Sequence, residues 1–301
     1  MKVYFLGVGG GIPSLERTLP AVAIYLKRRI LLFDCGEGTQ LQLQRAKLSP
    51  QRITQIFISH LHGDHVLGLP GLVSTMAMQK RAKPLSVFGP TGISKFIENS
   101  LELTQAQIEF KLTVREVGNG IITEQEEYTV ECLPAVHSVP ALSFILRMAD
   151  TPGRFYPTKA NHLGVPPGTL RKDLQQGRAV ITPEGRRVTP KEVVGPSRKG
   201  LIVVYTGDTA PNSKLASSVN KVDLLIHDAT FIEMHKERAT EFLHSTALQA
   251  AQIALQLQAK QLALVHISPR YASPELHLQE AQSVFPRTFA PKDLEVHQFS
   301  K

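Results

Sequence analysis

The chain has 301 residues, 42% apolar and 20% charged, which excludes a disordered, collagen-like or coiled-coil polymer and leaves one large α/β domain or two smaller ones. Thirty-four Lys and Arg against 26 Asp and Glu give a net charge of +8, so acidic partners, nucleic acid above all, are favoured. Two cysteines, Cys35 and Cys132, are too few for a disulfide framework or a cysteine-based zinc site, and with no apolar run of about 18 residues a soluble, cytoplasmic protein without membrane contact is expected.

Short apolar, β-branched runs bounded by turn residues predict strands over residues 3–6, 21–26, 30–33, 53–59, 85–88, 128–133, 142–146, 201–205, 224–226 and 262–265. Helical patterns with Ser, Thr or Gly near their starts fall at 39–46, 72–80, 92–101, 246–256 and 274–283. The order predicts a layered α/β protein. An early hairpin, turning at residues 27–29, makes the sheet mixed and disfavours a simple dinucleotide-binding fold.

Residues 151–200 differ from their surroundings. They hold 14 of the chain's 41 Gly and Pro residues and show no apolar periodicity of the kind a core element needs. An inserted flexible arm projecting from a single catalytic domain, residues 1–301, is expected. It carries ten Lys and Arg against three acids, or +7 of the net +8.

The densest chemical signal is His60-Leu61-His62-Gly63-Asp64-His65, directly after the predicted strand 53–59. Residues i and i+2 of an extended segment point the same way, so His60 and His62 can bind one ion together. Asp64 and His65 then lie on the following turn and face a neighbouring position, with Gly63 expected to permit the tight backbone. His137, Asp208 and His266 follow other predicted strands, where ligands converge in α/β folds. Together these imidazoles and carboxylates suit zinc or a similar cation. His162, His227, His235, His277 and His297 are read as structural.

The chain resembles the metallo-β-lactamase-fold hydrolases and, within them, the short tRNase Z (ribonuclease Z) family. The match runs through FLGVGGGIP, FDCGEGTQ (33–40), ISHLHGDHVLGLPGL (58–72), HSVP (137–140), the Gly/Pro-rich insertion, YTGDTAP (205–211), HDATF (227–231), HSTALQAA (244–251) and HISPRY (266–271). The HxHxDH run is shared by the whole superfamily; GLPGL, HSTA, HISPRY and the insertion single out tRNase Z. The resemblance implies an αββα sandwich of mixed sheets with a protruding basic arm, and two zinc ions per subunit. It puts His60, His62 and His137 on one ion, Asp64, His65 and His266 on the other, and Asp208 between them. Three departures touch no ligand: GVGGG lacks the usual Thr or Ser, HSVPALSF lacks the usual aromatic, and Asp228 stands where Glu is commoner.

The activity so implied is removal of the 3′ trailer from precursor tRNA, leaving a 3′-hydroxyl on the tRNA and a 5′-phosphate on the trailer. His244 is the expected proton donor to the leaving oxygen, with Asp228 orienting its ring, and Asp64 is assigned in the family as proton acceptor as well as ligand. The arm is expected to clamp the tRNA body across a homodimer. A small-molecule hydrolase of the same fold (phosphodiesterase, lactonase or arylsulfatase type) is the alternative, and a metal-stabilised RNA-binding module without catalysis is the third reading.

Overall fold

The computed structural model describes residues 1–299. By its internal contacts the chain forms two compact units: Met1–Glu124, Thr129–Leu146 and the chain from Ile202 on make one, and Gln125–Tyr128 with Arg147–Leu201 make the other.

In the first unit, β1 (Lys2–Gly7), β2 (Ala21–Leu26) and β3 (Arg29–Phe33) pair antiparallel, and β4 (Ile53–Phe57), β5 (Leu85–Gly89) and β6 (Leu112–Glu116) continue from β3 in parallel. A second sheet begins with β7 (Gly120–Gln125), β8 (Tyr128–Pro134) and β9 (Leu142–Met148). The chain then passes through the hairpin strands β10 (Val180–Ile181) and β11 (Arg187–Val188) of the other unit. Parallel strands β12 (Ile202–Tyr205), β13 (Leu224–Asp228), β14 (Leu262–Val265) and β15 (Thr288–Phe289) complete the second sheet, and β16 (Val296–Gln298) returns to the edge of the first beside β1.

Helices cover the outer faces. α1 (Thr39–Arg45), the single turn α2 (Gly63–Val66), α3 (Gly68–Met78) and α4 (Ile93–Leu103) belong to the first half, and Leu43, Leu69, Leu72, Val73, Met76, Ile93 and Ile97 join Ile30, Leu32, Ile56 and Val87 of the first sheet in one core. α8 (Ser213–Ser218), α9 (Lys236–Glu241), α10 (Ala247–Gln256) and α11 (Glu275–Val284) follow the arm; Leu215, Ala250, Ala254 and Ala281 pack on Val204, Leu225 and Leu264 of the second sheet. Between the sheets, Phe33 stacks on Phe57 with ring centroids 4.9 Å apart, and Phe144 and Tyr205 lie 5.8 Å from Phe33. Each sheet therefore buries both faces. That explains the near-continuous apolar runs of β3, β12 and β14.

Strands absent from the sequence expectation are mostly edges. β6, β7, β15 and β16 end the two sheets, are polar or only two to three residues long, and so lack an apolar run. α3 begins four residues before the predicted start, because GLPG reads as a turn. Pro70 sits in the first helical turn, where its missing N–H costs nothing, and a Cβ on Gly68 would lie 2.2 Å from the Gly36 carbonyl oxygen. These glycines serve close packing rather than a break.

The second unit contains α5 (Pro157–His162), α6 (Thr169–Gln175), the β10–β11 hairpin and α7 (Pro190–Val193), the last opened by a Thr189–Glu192 capping box. Ala160, Val165, Leu174, Val180, Val188 and Val193 form a small core of their own. Residues 151–200, expected to lack core elements, thus do pack one. Each element supplies a single fully buried side chain and none is longer than seven residues, so no window shows a period. Thr151 and Arg198 exchange both backbone hydrogen bonds at 2.9 Å. Among the described residues, no helix is long and apolar enough to cross a membrane.

Candidate metal centre

The site assembles beyond the C-terminal ends of β4, β12, β13 and β14, where parallel strands leave unpaired backbone and the connecting loops carry polar side chains. After β4 the chain stays extended through His62 (φ −63°, ψ 146°) and then turns into α2. His60 and His62 converge, with His62 Nδ1 3.0 Å from His60 Nε2 and 3.2 Å from His137 Nε2. Asp208 Oδ2 lies 3.7 Å from His60 Nε2. On the other side, Asp64 Oδ2 is 3.5 Å from His65 Nε2 and 3.3 Å from His266 Nε2, while Asp208 reaches both rings at 3.2 Å. Two nests therefore share Asp208. Donor separations of this size match the edges of a tetrahedron, about 3.4 Å for bonds of about 2.0–2.1 Å to a central ion.

Gly63 is not the device that turns the chain. Its backbone is ordinary right-handed helix, the first residue of α2, and Asp64 and His65 sit on that helical turn. The glycine that matters is Gly10: a Cβ there would stand 2.5 Å from the His266 ring. Its neighbour Gly11 donates its N–H to Asp64 Oδ2 at 2.8 Å, so the glycine loop rests directly on the Asp64 and His266 side chains.

Four of the five converging rings are fixed by an acceptor at Nδ1, which leaves Nε2 as the lone-pair nitrogen facing inward. His65 Nδ1 donates to Asp34 Oδ2 at 2.7 Å, and His60 Nδ1 to Ser59 Oγ at 3.0 Å, whose own proton goes to Asp34. His137 Nδ1 donates to the Leu243 carbonyl at 3.2 Å and His266 Nδ1 to Thr230 Oγ1 at 2.8 Å. His62 is the exception and presents Nδ1. Asp34 also accepts from Tyr205 Oη at 2.6 Å and from Ser59 N at 2.6 Å, all of it fully buried. Sequence reasoning assigned no role to Asp34, Ser59, Tyr205 or Thr230. The one signal was their place inside FDCGEGTQ, ISHLHGDHVLGLPGL, YTGDTAP and HDATF.

Electrostatics agree with a cation. Burial works against the Asp208 charge, but His266, His65 and His60 outweigh it and hold the carboxyl well below the usual range; against the same burial, the adjacent His266 and His65 rings do so for Asp64. Burial, reinforced by the neighbouring rings, keeps His60 and His137 low and therefore neutral. His65 is opposite: burial is outweighed by Asp208 and Asp34, which draw a proton onto a ring that an ion would otherwise serve. His65 Nε2 and Asp208 Oδ1 are buried and make no hydrogen bond. Two such atoms at the centre of a ligand cluster fit a metal ion.

His244 stands beside the nests, its ring stacked on His266 at 5.2 Å and 3.9 Å from Asp208 Oδ2. It is close enough to group geometrically with Asp208 and His266, so it is less separate from the ligands than the sequence suggests. Its Nδ1 is nonetheless engaged by Asp228 Oδ2 at 2.8 Å. Asp228 is anchored by the Thr230 and Thr209 N–H groups, at 2.8 and 3.1 Å, and by Thr230 Oγ1 at 2.7 Å. Burial alone would lower the His244 pKa; the Asp228 carboxylate outweighs it and pushes it up to about 9. Of the remaining histidines, His227 is buried in β13 with Nδ1 on the Asp228 carbonyl, and His235 Nδ1 meets Tyr271 Oη at 2.6 Å.

Relatives cover the whole of this arrangement. The chain is 38% identical over 306 residues, all of both chains, to Ribonuclease Z of Bacillus licheniformis, and 39% identical to that of Bacillus subtilis over 99% of each. The chain belongs to the ribonuclease Z family. The archaeal Ribonuclease Z of Methanothermobacter thermautotrophicus is 40% identical over 98% of this chain and 95% of its own. Residues 1–157 match the family model described as Anti-Pycsar protein Apyc1, a span that ends before Asp208, His244 and His266. Among solved structures, human tRNase Z, short form, superposes over 100% of both chains with a TM-score of 0.74 at 27% identity. A metallo-beta-lactamase fold protein from Bacillus subtilis, at 18% identity and a TM-score of 0.69, shares the fold.

Proposed function

We propose that the protein is a zinc-dependent endoribonuclease that removes the 3′ trailer from tRNA precursors. The observation that carries this reading is the pair of nests sharing Asp208 with His244 held beside them, in a chain matched end to end by ribonuclease Z relatives. His60, His62, His137 and Asp208 would hold one ion, and Asp64, His65, His266 and Asp208 the other. Bound there, such ions would supply a hydroxide at neutral pH and positive charge beside a phosphodiester oxygen.

The chain's own groups do the rest. Asp208 serves both nests, which fixes their relative position, and the Nδ1 acceptors keep each ring from rotating away. Asp64, whose Oδ2 accepts the Gly11 N–H at 2.8 Å, takes up the attacking group's proton. His244 holds a proton on its ring through Asp228 and gives it to the ribose O3′ as that oxygen leaves. The product ends follow: a 3′-hydroxyl on the tRNA and a 5′-phosphate on the trailer.

Residues 151–200 are the proposed tRNA-binding arm, because most of the net charge is concentrated there and contacts to folded RNA go mainly to phosphates. Arg171 spends its donors on the Val165 carbonyl at 2.7 and 3.1 Å and on Asn161, so it supports the arm's fold rather than a phosphate. A homodimer, in which the arm of one subunit serves the other's site, and a cytoplasmic location are part of the same proposal; light scattering tests the first. The decisive experiment incubates the zinc-loaded protein with a precursor tRNA lacking CCA and maps both product ends. Cleavage after the last nucleotide before the trailer, with the ends given above, is expected. An uncut precursor alongside rapid hydrolysis of a small phosphodiester would favour the small-molecule reading.

A further inference from the structure

A cavity of about 350 Å³ opens beside His244 and His266, and its walls come from Gly11, Ile12, Phe231, Phe242 and Arg270. None of its lining residues is acidic. Phe242 is 51% exposed and Ile12 69% exposed, two apolar side chains left in water on opposite stretches of chain at the mouth of a catalytic site. On the same wall, Arg270 lays its guanidinium 5.2 Å from the Phe231 ring, with Nε on Ser268 Oγ at 3.3 Å. The result is a guanidinium backed by the Phe231 ring which, with Phe242, lines a space within the range of small-ligand pockets. A flat, electron-rich ring is the ligand such walls suit. Every nucleobase has that chemistry, whatever its sequence.

Which base enters follows from the position of the acid. In an in-line displacement the proton donor stands on the leaving oxygen's side of phosphorus, and His244 is both that donor and a wall of the cavity. We propose that this cavity holds the base of the nucleotide whose O3′ is expelled, the last one kept on the product, stacked by Phe242 and Arg270. The proposal rests on the endoribonuclease reading above. A base paired in a helix cannot enter, so the pocket requires that this nucleotide be single-stranded, and stacking rather than edge hydrogen bonds leaves its identity open.

The test uses the full-length, metal-loaded protein and three precursor RNAs: intact, abasic at the nucleotide before the cut, and abasic at the nucleotide after it. Wild-type kcat/KM is expected to fall on the order of tenfold or more for the first abasic RNA and to change little for the second. Phe242→Ala should lose about as much on intact RNA, and lose nothing further when the preceding base is already absent. Arg270→Ala, at an exposed position, carries the same cycle should Phe242→Ala misfold. If the losses from variant and abasic site multiply, or if the coupling lies with the base after the cut, the assignment is wrong while the nuclease reading stands. Intact precursor left uncut by wild type overturns both.

Discussion

His244 Nδ1 lies 2.8 Å from Asp228 Oδ2, and that carboxylate is itself pinned by the Thr209 and Thr230 N–H groups. The short Asp side chain reaches because Asp228 ends β13, directly beneath the His244 loop. With the pKa of His244 pushed up to about 9, the acid form persists through neutral pH and is lost as pH rises through that value. Asp228→Asn removes the charge that raises it, so the alkaline limb of kcat/KM should move to lower pH. Identical alkaline limbs in the two proteins would sink this role for Asp228. His244→Ala should keep its metal and lose roughly 10² to 10⁴ in single-turnover rate, the usual size of general acid catalysis.

Asp34 is expected to control metal retention without touching the metal. Asp34→Ala leaves His65 Nδ1, Ser59 N, Ser59 Oγ and Tyr205 Oη buried without their acceptor, at about 1–3 kcal/mol for each group left unsatisfied. His65 would also lose the bond that fixes its tautomer, typically a loss of about 10- to 100-fold in metal affinity. A melting curve and the metal content after dialysis check both. Unchanged values in the variant would show that Asp34 is dispensable.

Two glycines near the site should respond oppositely to alanine. At Gly10 the added methyl meets the His266 ring at 2.5 Å, and His266 already sits at φ +61°, a strained backbone with little room to yield. At Gly63 the methyl meets only Leu67 Cδ1 at 3.0 Å, the movable end of an exposed side chain. Gly10→Ala is expected to lose most activity, and Gly63→Ala to keep it with a small gain in helix stability. The reverse order of activities would contradict the placement of the glycine loop.

Acid should unfold this protein partly through His277. Burial, with Arg17 nearby, pushes that ring down to about 4 from an ordinary 6.5, so the unfolded chain binds a proton between those values that the folded chain refuses. Stability from this group is present above pH 6.5 and lost as pH falls toward 4, about 3 kcal/mol in all. In His277→Leu the slope of unfolding free energy against pH near pH 5 should be shallower by about 1.2 kcal/mol per unit. Parallel slopes would mean that other groups carry the acid sensitivity.

The Thr151–Arg198 pair offers a clean excision point. Joining Thr151 to Arg198, which already pair, through a short Gly-Ser turn removes the small core of residues 160–193 as a whole. The shortened protein should hydrolyse a small phosphodiester normally, bind precursor tRNA more weakly, and show a flatter dependence of that binding on salt. Full precursor affinity after excision would place RNA recognition elsewhere.

The sequence by itself determined much of the chemistry and the order of the core. His60, His62, Asp64 and His65 are legible because three imidazoles and a carboxylate fall within six residues after an apolar strand, and β2, β3, β12 and β14 because strands buried on both faces must be apolar throughout. What holds those side chains in place was decided by tertiary structure. Asp34 meets His65 across 31 residues and Tyr205 across 171, and Thr230 reaches His266 across 36, so no local pattern announces them. The left-handed backbone of Asp34, Leu243 and His266 is likewise imposed by packing against local preference. The core of residues 151–200 was hidden for a related reason. One buried side chain per short element has no period to detect, and only the folded chain brings the six together.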